Sequence, residues 1–386
     1  MAEKIKTRIQ MAHLLHERMN KSYSTLFEKQ ELEPDTTLVK TYLKEAHLPE
    51  NSSGDKTFDT IKRVFSFETL RKDLGFSVRR TEEEYFYQVD AFFKREPVSI
   101  YLDATNTRFW ILHSMNSSIA LDNLLESIVS MTPLLDNAWI PTHLLEAVAK
   151  FGNFRGLGLD YDRRFLPDVD FESDSTPVEY LKMQLFGNKA ADVLRILREE
   201  GAFPHETTLS KVKIKHWINN NSEFSIDDIK YDGKITARGT SFQSHIEIIQ
   251  EIYGKYQHLI TKVENEFALH WILSDNSLSL RGEPVNFIFE RPIVNLKSFC
   301  KHLFDASEPF RLWGVPNFIN DKFARVAAVD LHVGTRLMFE ITSDFIRIFL
   351  PDGGCGNSIV RVYTNLQHYY DSLIKAQNGD ERSVFE

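Results

Sequence analysis

The clearest chemical pattern in the sequence is an alternation of lysines with other residues from Lys211 to Trp217, KVKIKHW. In a β-strand alternate side chains share a face, so the lysines and the tryptophan would line one surface. Cations beside an aromatic ring are typical of a surface that contacts nucleic-acid phosphates and stacks a base. The pattern predicts a nucleic-acid-binding strand, extended by cations of the next strand. The predicted residues are Lys211, Lys213, Lys215, Trp217, Lys230, Lys234 and Arg238.

The same alternation is also typical of the solvated face of an ordinary antiparallel hairpin, or of a contact with another protein. Residues 206–238 contain six basic and five acidic side chains, and 6 − 5 = +1, so the window is not strongly basic. The sequence leaves these interpretations open.

A second pattern places acidic residues near the ends of two predicted strands, after small residues that leave room for a ligand. Carboxylates at positions i and i+2 form half of a site for Mg²⁺ or Mn²⁺. The alternative is that these acids pair with nearby arginines, namely Arg163, Arg164 and Arg336. The candidate metal ligands are Asp160, Asp162, Asp330 and His332.

Three weaker patterns add no complete catalytic set. Residues 168–179 have the carboxylate spacing of a calcium loop, but Ser173 stands where that loop needs glycine. The glycine-rich segment 350–358 lacks the lysine of a phosphate-binding loop, so we expect a turn, with a phosphate cradle as the alternative. Cys355 has no histidine nearby in the sequence to activate it. The sequence therefore favours a protein without a catalytic centre or cofactor, with Mg²⁺ or Mn²⁺ chemistry as the alternative.

The elements that must position these residues follow from the hydrophobic periodicity. Ile5–Phe27 is predicted to be an amphipathic helix that docks on another chain, and Thr37–Ala46 a second helix. Runs of aromatic and β-branched residues after Glu84 predict strands. The lysine alternation lies in a predicted strand pair, Leu209–Ile218 and Ile226–Arg238, that precedes a long helix.

Two regions, residues 109–165 and 287–337, resemble an internal repeat. Each combines a strand, a helix, a Trp-Pro turn and a final strand, and in each an arginine precedes an aspartate by five positions (160 − 155 and 330 − 325). We expect Trp110, Trp139, Trp271 and Trp313 to lie in the core.

Together these patterns predict an α+β fold, in which an N-terminal helical extension precedes two sheet-containing halves related by duplication. The predicted segments are 1–54, the helical extension; 55–204, the first half; 205–267, a basic hairpin with a long connecting helix; and 268–386, the second half.

Composition narrows the class of protein. The chain of 386 residues is 42% hydrophobic and 26% charged, which is typical of a folded globular protein. Its net charge of −9 argues against a surface that is basic throughout. Two cysteines and the lack of a signal-peptide pattern predict a cytoplasmic protein that does not enter a membrane.

Two functions remain after these exclusions. The first is a non-catalytic intracellular binding or assembly subunit that contacts nucleic acid through the lysine-rich strand and a partner protein, or a second copy, through the N-terminal helix. The second is a metal-dependent phosphodiesterase or nuclease that uses the aspartates at the strand ends.

Overall fold

The computed structural model of the chain describes residues 4–29, 38–49, 51–66, 74–93, 96–168, 178–199, 203–274 and 277–385. These residues form eight α-helices and 19 β-strands, so the predicted α+β class is confirmed. Among the helices described, none has both the length and the apolar composition needed to cross a membrane.

The helices are α1 Arg8–Lys29, α2 Gly54–Phe65, α3 Ser118–Met131, α4 Thr142–Ala149, α5 Ala190–Glu199, α6 Phe242–Phe267, α7 Leu296–Leu303 and α8 Gly356–Tyr369. The first strands are β1 Val39–Ala46, β2 Leu74–Arg80, β3 Phe86–Phe93, β4 Glu96–Asp103, β5 Phe109–Ser114, β6 Leu135–Asn137, β7 Asn153–Asp162, β8 Tyr180–Phe186, β9 Leu209–Ile218, β10 Glu223–Lys230 and β11 Lys234–Gly239. The later strands are β12 His270–Ser274, β13 Ser277–Arg281, β14 Val285–Ile288, β15 Leu312–Asn320, β16 Phe323–Asp330, β17 Arg336–Ile341, β18 Phe345–Phe349 and β19 Lys375–Gln377.

The chain forms two compact units, each assembled from separated stretches of sequence. Unit 1 contains Met1–Ala138, Ala147–Arg155 and Val212–Gly254, whereas unit 2 contains Trp139–Glu146, Gly156–Lys211 and Lys255–Glu386. One boundary lies between β6 and α4, and the other four fall inside α4, β7, β9 and α6. The four continuous segments expected from the sequence remain a prediction.

Unit 1 is built around an antiparallel sheet with the strand order β2-β3-β4-β5-β1-β11-β10-β9, and β6 also pairs with β1. On one face α2 and α3 cover the part from β2 to β1, where Ile61, Leu124 and Trp110 are fully buried. Serine side chains cap both helices, because Ser53 accepts from the Lys56 amide and Ser117 from the Ala120 amide.

The opposite face of this sheet is covered by α1 and the beginning of α6. Leu15 and Met19 of α1 are fully buried in a cluster with Val39, Ala237 and Phe242. The apolar face of α1 is therefore used inside unit 1 and is not available for the partner protein that the sequence analysis assigned to it.

The predicted helix at Thr37–Ala46 is wrong, because Val39–Ala46 is strand β1 and Thr37 lies outside the described residues. All eight residues of β1 are buried, since β1 pairs with β11 on one side and β5 on the other. Pairing on both sides outweighs the helix propensity of its lysines, leucine, glutamate and alanine.

The predicted strand Ile226–Arg238 is two strands, β10 and β11, joined by a tight turn at Gly233. This residue has a φ of +79°, and a Cβ atom there would lie 2.8 Å from the carbonyl oxygen of Leu43 and 2.9 Å from that of Ala138. Only glycine adopts this conformation in so little space without strain.

Unit 2 contains a six-stranded antiparallel sheet with the order β15-β16-β17-β18-β14-β19. Helices α7 and α8 pack on its inner face, as the ring contacts between Phe304 and Phe339 and between Phe287 and Tyr363 show. Unit 2 also contains the β12–β13 hairpin and the pair formed by β7 and β8.

The structure does not confirm the internal duplication. In the first region Trp139 and Pro141 precede α4, whereas in the second Trp313 and Pro316 lie within strand β15. The strands that carry the arginine and the aspartate of the repeat also differ in their pairing. In the first region this strand is β7, which pairs with β8. In the second region it is β16, which forms hairpins with both β15 and β17.

The prediction that four tryptophans lie in the core is correct for two of them. Trp110 and Trp139 are 0% and 4% exposed, whereas Trp271 and Trp313 are 66% and 55% exposed. Trp271 and Trp313 project from strand faces that no other described element covers closely enough to bury them.

Candidate nucleic-acid interface

The predicted lysine-rich strand exists as β9, with the same bounds. Within unit 1, Lys213, Lys215 and Trp217 lie on one face of β9, while Val212 and Ile214 are buried on the other. This face carries the cations and the aromatic ring together, as the period of two predicted. Lys211 belongs to unit 2, where its Nζ atom lies 3.4 Å from Oε1 of Gln184.

The cations of β9 already have neighbours within unit 1. The Nζ atom of Lys213 lies 3.2 Å from Oδ1 of Asp228 on β10. The Nζ atom of Lys215 lies 3.8 Å from the ring centroid of Trp217 and 3.6 Å from that of Phe224. Burial, followed by the charge of Arg155, lowers the pKa of Lys215. Lys215 and the two rings form a compact cation–aromatic platform.

Directly opposite residues extend this face across β10, β11 and β1. Asp228 stands opposite Thr236, and Thr236 stands opposite Lys40. Arg238 stands opposite Ile226, and Lys234 opposite Tyr42. Opposite residues in an antiparallel pair share a face, so these residues of the four strands lie on one continuous face, whose β1 part is buried against α3.

We call this surface the basic face of unit 1. Within β1, β10, β11 and the unit 1 part of β9, which the structure describes completely, Asp228 is the one acidic residue at its positions. The seven cations at its positions are Lys40, Lys44, Lys213, Lys215, Lys230, Lys234 and Arg238.

The inner part of the basic face is a network of hydrogen bonds around Asp122 of α3. Its Oδ1 accepts from the Tyr42 hydroxyl at 2.5 Å and its Oδ2 from Nζ of Lys234 at 2.5 Å. Lys234 is only 7% exposed. The prediction that Lys234 offers a surface cation therefore needs correction, because its charge is engaged by Asp122. Lys44 is also buried and donates to Oδ1 of Asn137.

Lys40, like Lys44, has no carboxylate hydrogen-bonded to it in the described structure. Its Nζ donates to the carbonyl oxygens of Leu38, at 2.8 Å, and Asn116, at 2.6 Å. Burial and then the like charge of Lys234 lower the pKa of Lys40 to about 8. Burial also lowers the pKa of Lys44, against the attraction of nearby carboxylates. An anion that reached these lysines would offset both effects.

Sequence reasoning missed Lys40, Tyr42 and Lys44 because their segment was predicted to be helical. The signal was present, since Lys-x-Tyr-x-Lys in a segment with valine and threonine has the same period of two as the β9 alternation.

The opposite face of the same strands carries a buried chain of polar side chains. His245 of α6 contacts Asp227 through Nδ1, and its Nε2 lies 2.8 Å from the Thr41 hydroxyl, which lies 2.9 Å from Nδ1 of His113. Burial and then His245 lower the pKa of His113 to about 3. Thr41, His245 and Asp227 follow each other in the order nucleophile, base and acid of a catalytic triad, but Thr41 is 0% exposed. We therefore interpret these polar contacts as ones that attach α6 to the sheet.

The structure does not bring the candidate metal ligands together. Asp160 and Asp162 pair with Lys182, at 3.2 Å, and Arg164, at 2.7 Å. Asp330 is fully buried and binds Arg361 of α8, so its partner is not the Arg336 suggested by the sequence. Burial would raise the pKa of Asp330, but Arg361 and further hydrogen bonds outweigh it and hold that pKa below its ordinary value. The paired acids are thus already neutralised.

His332 is also fully buried, two residues after Asp330. Its amide donates to Oδ1 of Asp330 at 2.9 Å. In the part of the chain that the structure describes, no three histidine, cysteine or acidic residues are grouped so that they could hold a metal ion.

The glycine-rich segment behaves as a turn. The Gly356 amide at the start of α8 donates to Oε1 of Glu264 at 2.7 Å, so a carboxylate of the chain occupies the position that a phosphate would take. Residues 169–177 of the calcium-loop pattern lie outside the described residues.

The fold and this surface define an α+β protein with a cationic antiparallel sheet face. The sequence profile of the MJECL33-like protein family matches residues 1–385, so the chain belongs to that family. It is similar to the uncharacterized protein MJECL33 of Methanocaldococcus jannaschii, with 29% identity over 417 residues that cover 98% of this chain and 96% of that protein.

Proposed function

We propose that the protein is a binding subunit that holds single-stranded nucleic acid on the basic face of unit 1. We also propose that it acts in the cytoplasm, because both of its cysteines are thiols, as a reducing compartment favours. The metal-dependent alternative has no observation in its favour.

The observation that carries this proposal is the asymmetry of charge on the sheet. Four half-buried basic residues, Lys213, Lys215, Lys230 and Arg238, and one acidic residue, Asp228, form the accessible part of the basic face, whereas Lys40, Lys44 and Lys234 are buried. The whole chain, by contrast, has a net charge of −9. Lys230 and Arg238 are half-buried and take part in no salt bridge within the described residues, so their charges are available to phosphates. Phosphate contacts provide most of the affinity of such surfaces.

The aromatic platform supports a single strand as the ligand rather than a duplex. Trp217 packs against Phe224 with ring centroids 4.8 Å apart, and the Lys215 ammonium lies against both rings. An unpaired base can stack on such a ring, whereas the bases of a duplex are already stacked on each other.

The test is a titration of labelled oligonucleotides of about 12 nucleotides, a length within the range that sheet-based single-strand sites occupy. Single-stranded DNA, single-stranded RNA and a duplex of equal length are compared for the wild type and for Lys230→Ala/Arg238→Ala. The matched control is Lys56→Ala/Arg63→Ala, which removes one lysine and one arginine from exposed positions on α2.

We expect the wild type to prefer single strands and the basic-face variant to bind them more weakly, while the α2 variant binds like the wild type. Equal losses in both variants would show a non-specific effect of charge, and equal affinity for the duplex would exclude base stacking. Absence of binding at low salt would refute the proposal.

A further inference from the structure

A second surface lies on the outer face of the six-stranded sheet in unit 2. The inner face of this sheet is a packed core, in which Val326, Phe339 and Ile348 are 0% exposed. An antiparallel sheet that is covered on one side normally presents polar residues on the other. The outer face of β15, β16, β17 and β18 departs from this rule.

Two rows of directly opposite residues make this outer face apolar. Val315 stands opposite Ala327, Ala327 opposite Met338, and Met338 opposite Phe349, so one row crosses four strands. In the neighbouring row Trp313 stands opposite Val329. Trp313, Val315 and Met338 are 55%, 73% and 44% exposed. We call these six residues the apolar rows.

The free edge of the sheet is protected against pairing with another strand. On β15 the Gly314 amide donates to the carbonyl oxygen of Phe304 at 3.3 Å, and Trp313 forms a bridge with Asp305. Pro316, two residues further along the same side of the strand, has no amide hydrogen to donate. A partner must therefore approach the face of the sheet rather than its edge.

The charges beside the apolar rows are mostly positive. Glu340 is 3.0 Å from Arg325 and 3.5 Å from Arg347, so one carboxylate is shared between two guanidinium groups. Arg336, opposite Val329, is exposed. Three cations and one anion leave this surface with an excess of positive charge.

We propose that the apolar rows dock a segment of a partner protein in which apolar residues are flanked by aspartate or glutamate. Acidic flanks would neutralise Arg325, Arg336 and Arg347 while the apolar side chains cover Trp313 and Val315. A second copy of this chain fits less well, because two such faces would bring their arginines together. This surface lies in unit 2 and its use is independent of the basic face.

The test is a selection from a displayed library of short random peptides against the full-length protein, with Trp313→Ser/Val315→Ser as the counter-selection target. The matched control is Phe186→Ser/Val294→Ser, which removes two apolar side chains that are 67% and 74% exposed elsewhere in unit 2. The enriched peptides are then synthesised, and their affinities for all three proteins are measured by fluorescence anisotropy.

We expect the enriched peptides to combine aspartate or glutamate with leucine or aromatic residues. They should bind at least about tenfold more weakly to Trp313→Ser/Val315→Ser, because the two largest exposed contacts are lost, and equally well to the control. Three outcomes would overturn the proposal. These are no enrichment over the counter-selection, enrichment of lysine or arginine, or a wild-type dimer that the Trp313→Ser/Val315→Ser change abolishes.

Discussion

Replacing Lys40 by methionine tests the electrostatics of the inner basic face. The pKa of Lys40 is about 8 in the folded protein, against an ordinary value of 10.5. The full difference corresponds to about 3.4 kcal/mol at 1.36 kcal/mol per pH unit, and solvent screening reduces it to about 2 kcal/mol. Methionine keeps the length of the side chain and removes the charge, so the variant lacks this penalty at every pH.

The sign of the effect follows from proton binding. Between about pH 8 and pH 10.5 the unfolded chain keeps the proton on Lys40 while the folded protein has lost it, so the free energy of unfolding rises with pH. Below about pH 8 both states are protonated and the penalty is fully present. The stability of Lys40→Met relative to the wild type should therefore fall by about 1 kcal/mol between about pH 7 and pH 9.5.

Urea unfolding followed by circular dichroism at several pH values measures this difference. The upper limit of about pH 9.5 stays below the ordinary tyrosine pKa of about 10. Burial raises the pKa of the neighbouring Tyr42, and the partial ionisation of this residue in the unfolded chain affects both proteins alike. A stability difference that is independent of pH, or that grows as the pH rises, would refute the account of Lys40.

Three further changes test separate parts of the structure. Gly233→Ala should destabilise the protein by about 3 kcal/mol, because the added Cβ strains the β10–β11 turn. Gly254→Ala lies in open space on α6 and should stabilise the protein by up to about 1 kcal/mol. Thermal unfolding of both variants measures the difference. Asp330→Ala should cost about 3–5 kcal/mol by leaving Arg361 buried without its carboxylate, and a urea midpoint equal to that of the wild type would contradict this. Trp217→Ala should weaken single-strand binding by about 1–3 kcal/mol without changing its salt dependence, and an unchanged affinity would exclude stacking on Trp217.

The parts of the fold that the sequence predicted are those in which local pattern and tertiary environment agree. The alternation from Lys211 to Trp217 is strong because Val212 and Ile214 must face the core, and β9 has the predicted bounds. The long helix α6 likewise follows its apolar periodicity.

The parts that the sequence did not predict depend on contacts between distant residues. Val39–Ala46 contains residues that suit a helix, and its pairing with β5 and β11 decides otherwise. Asp122 is 112 positions from Lys234, so no local pattern could show that Lys234 is neutralised. Tryptophan is a residue type that usually lies in the core, yet Trp313 lies on the outer face of its sheet.

The most direct test of the proposed function is the salt dependence of single-strand binding. On a single strand each phosphate contact contributes about 0.7 to the slope of log affinity against log salt concentration, so Lys230→Ala/Arg238→Ala should reduce the slope by about 1.4. At about 0.1 M salt the same loss corresponds to about 25-fold weaker binding, provided that the affinity extrapolated to about 1 M salt is unchanged. The α2 control should retain the wild-type slope. If the basic-face variant also retains the wild-type slope and affinity, the basic face does not contact the nucleic acid.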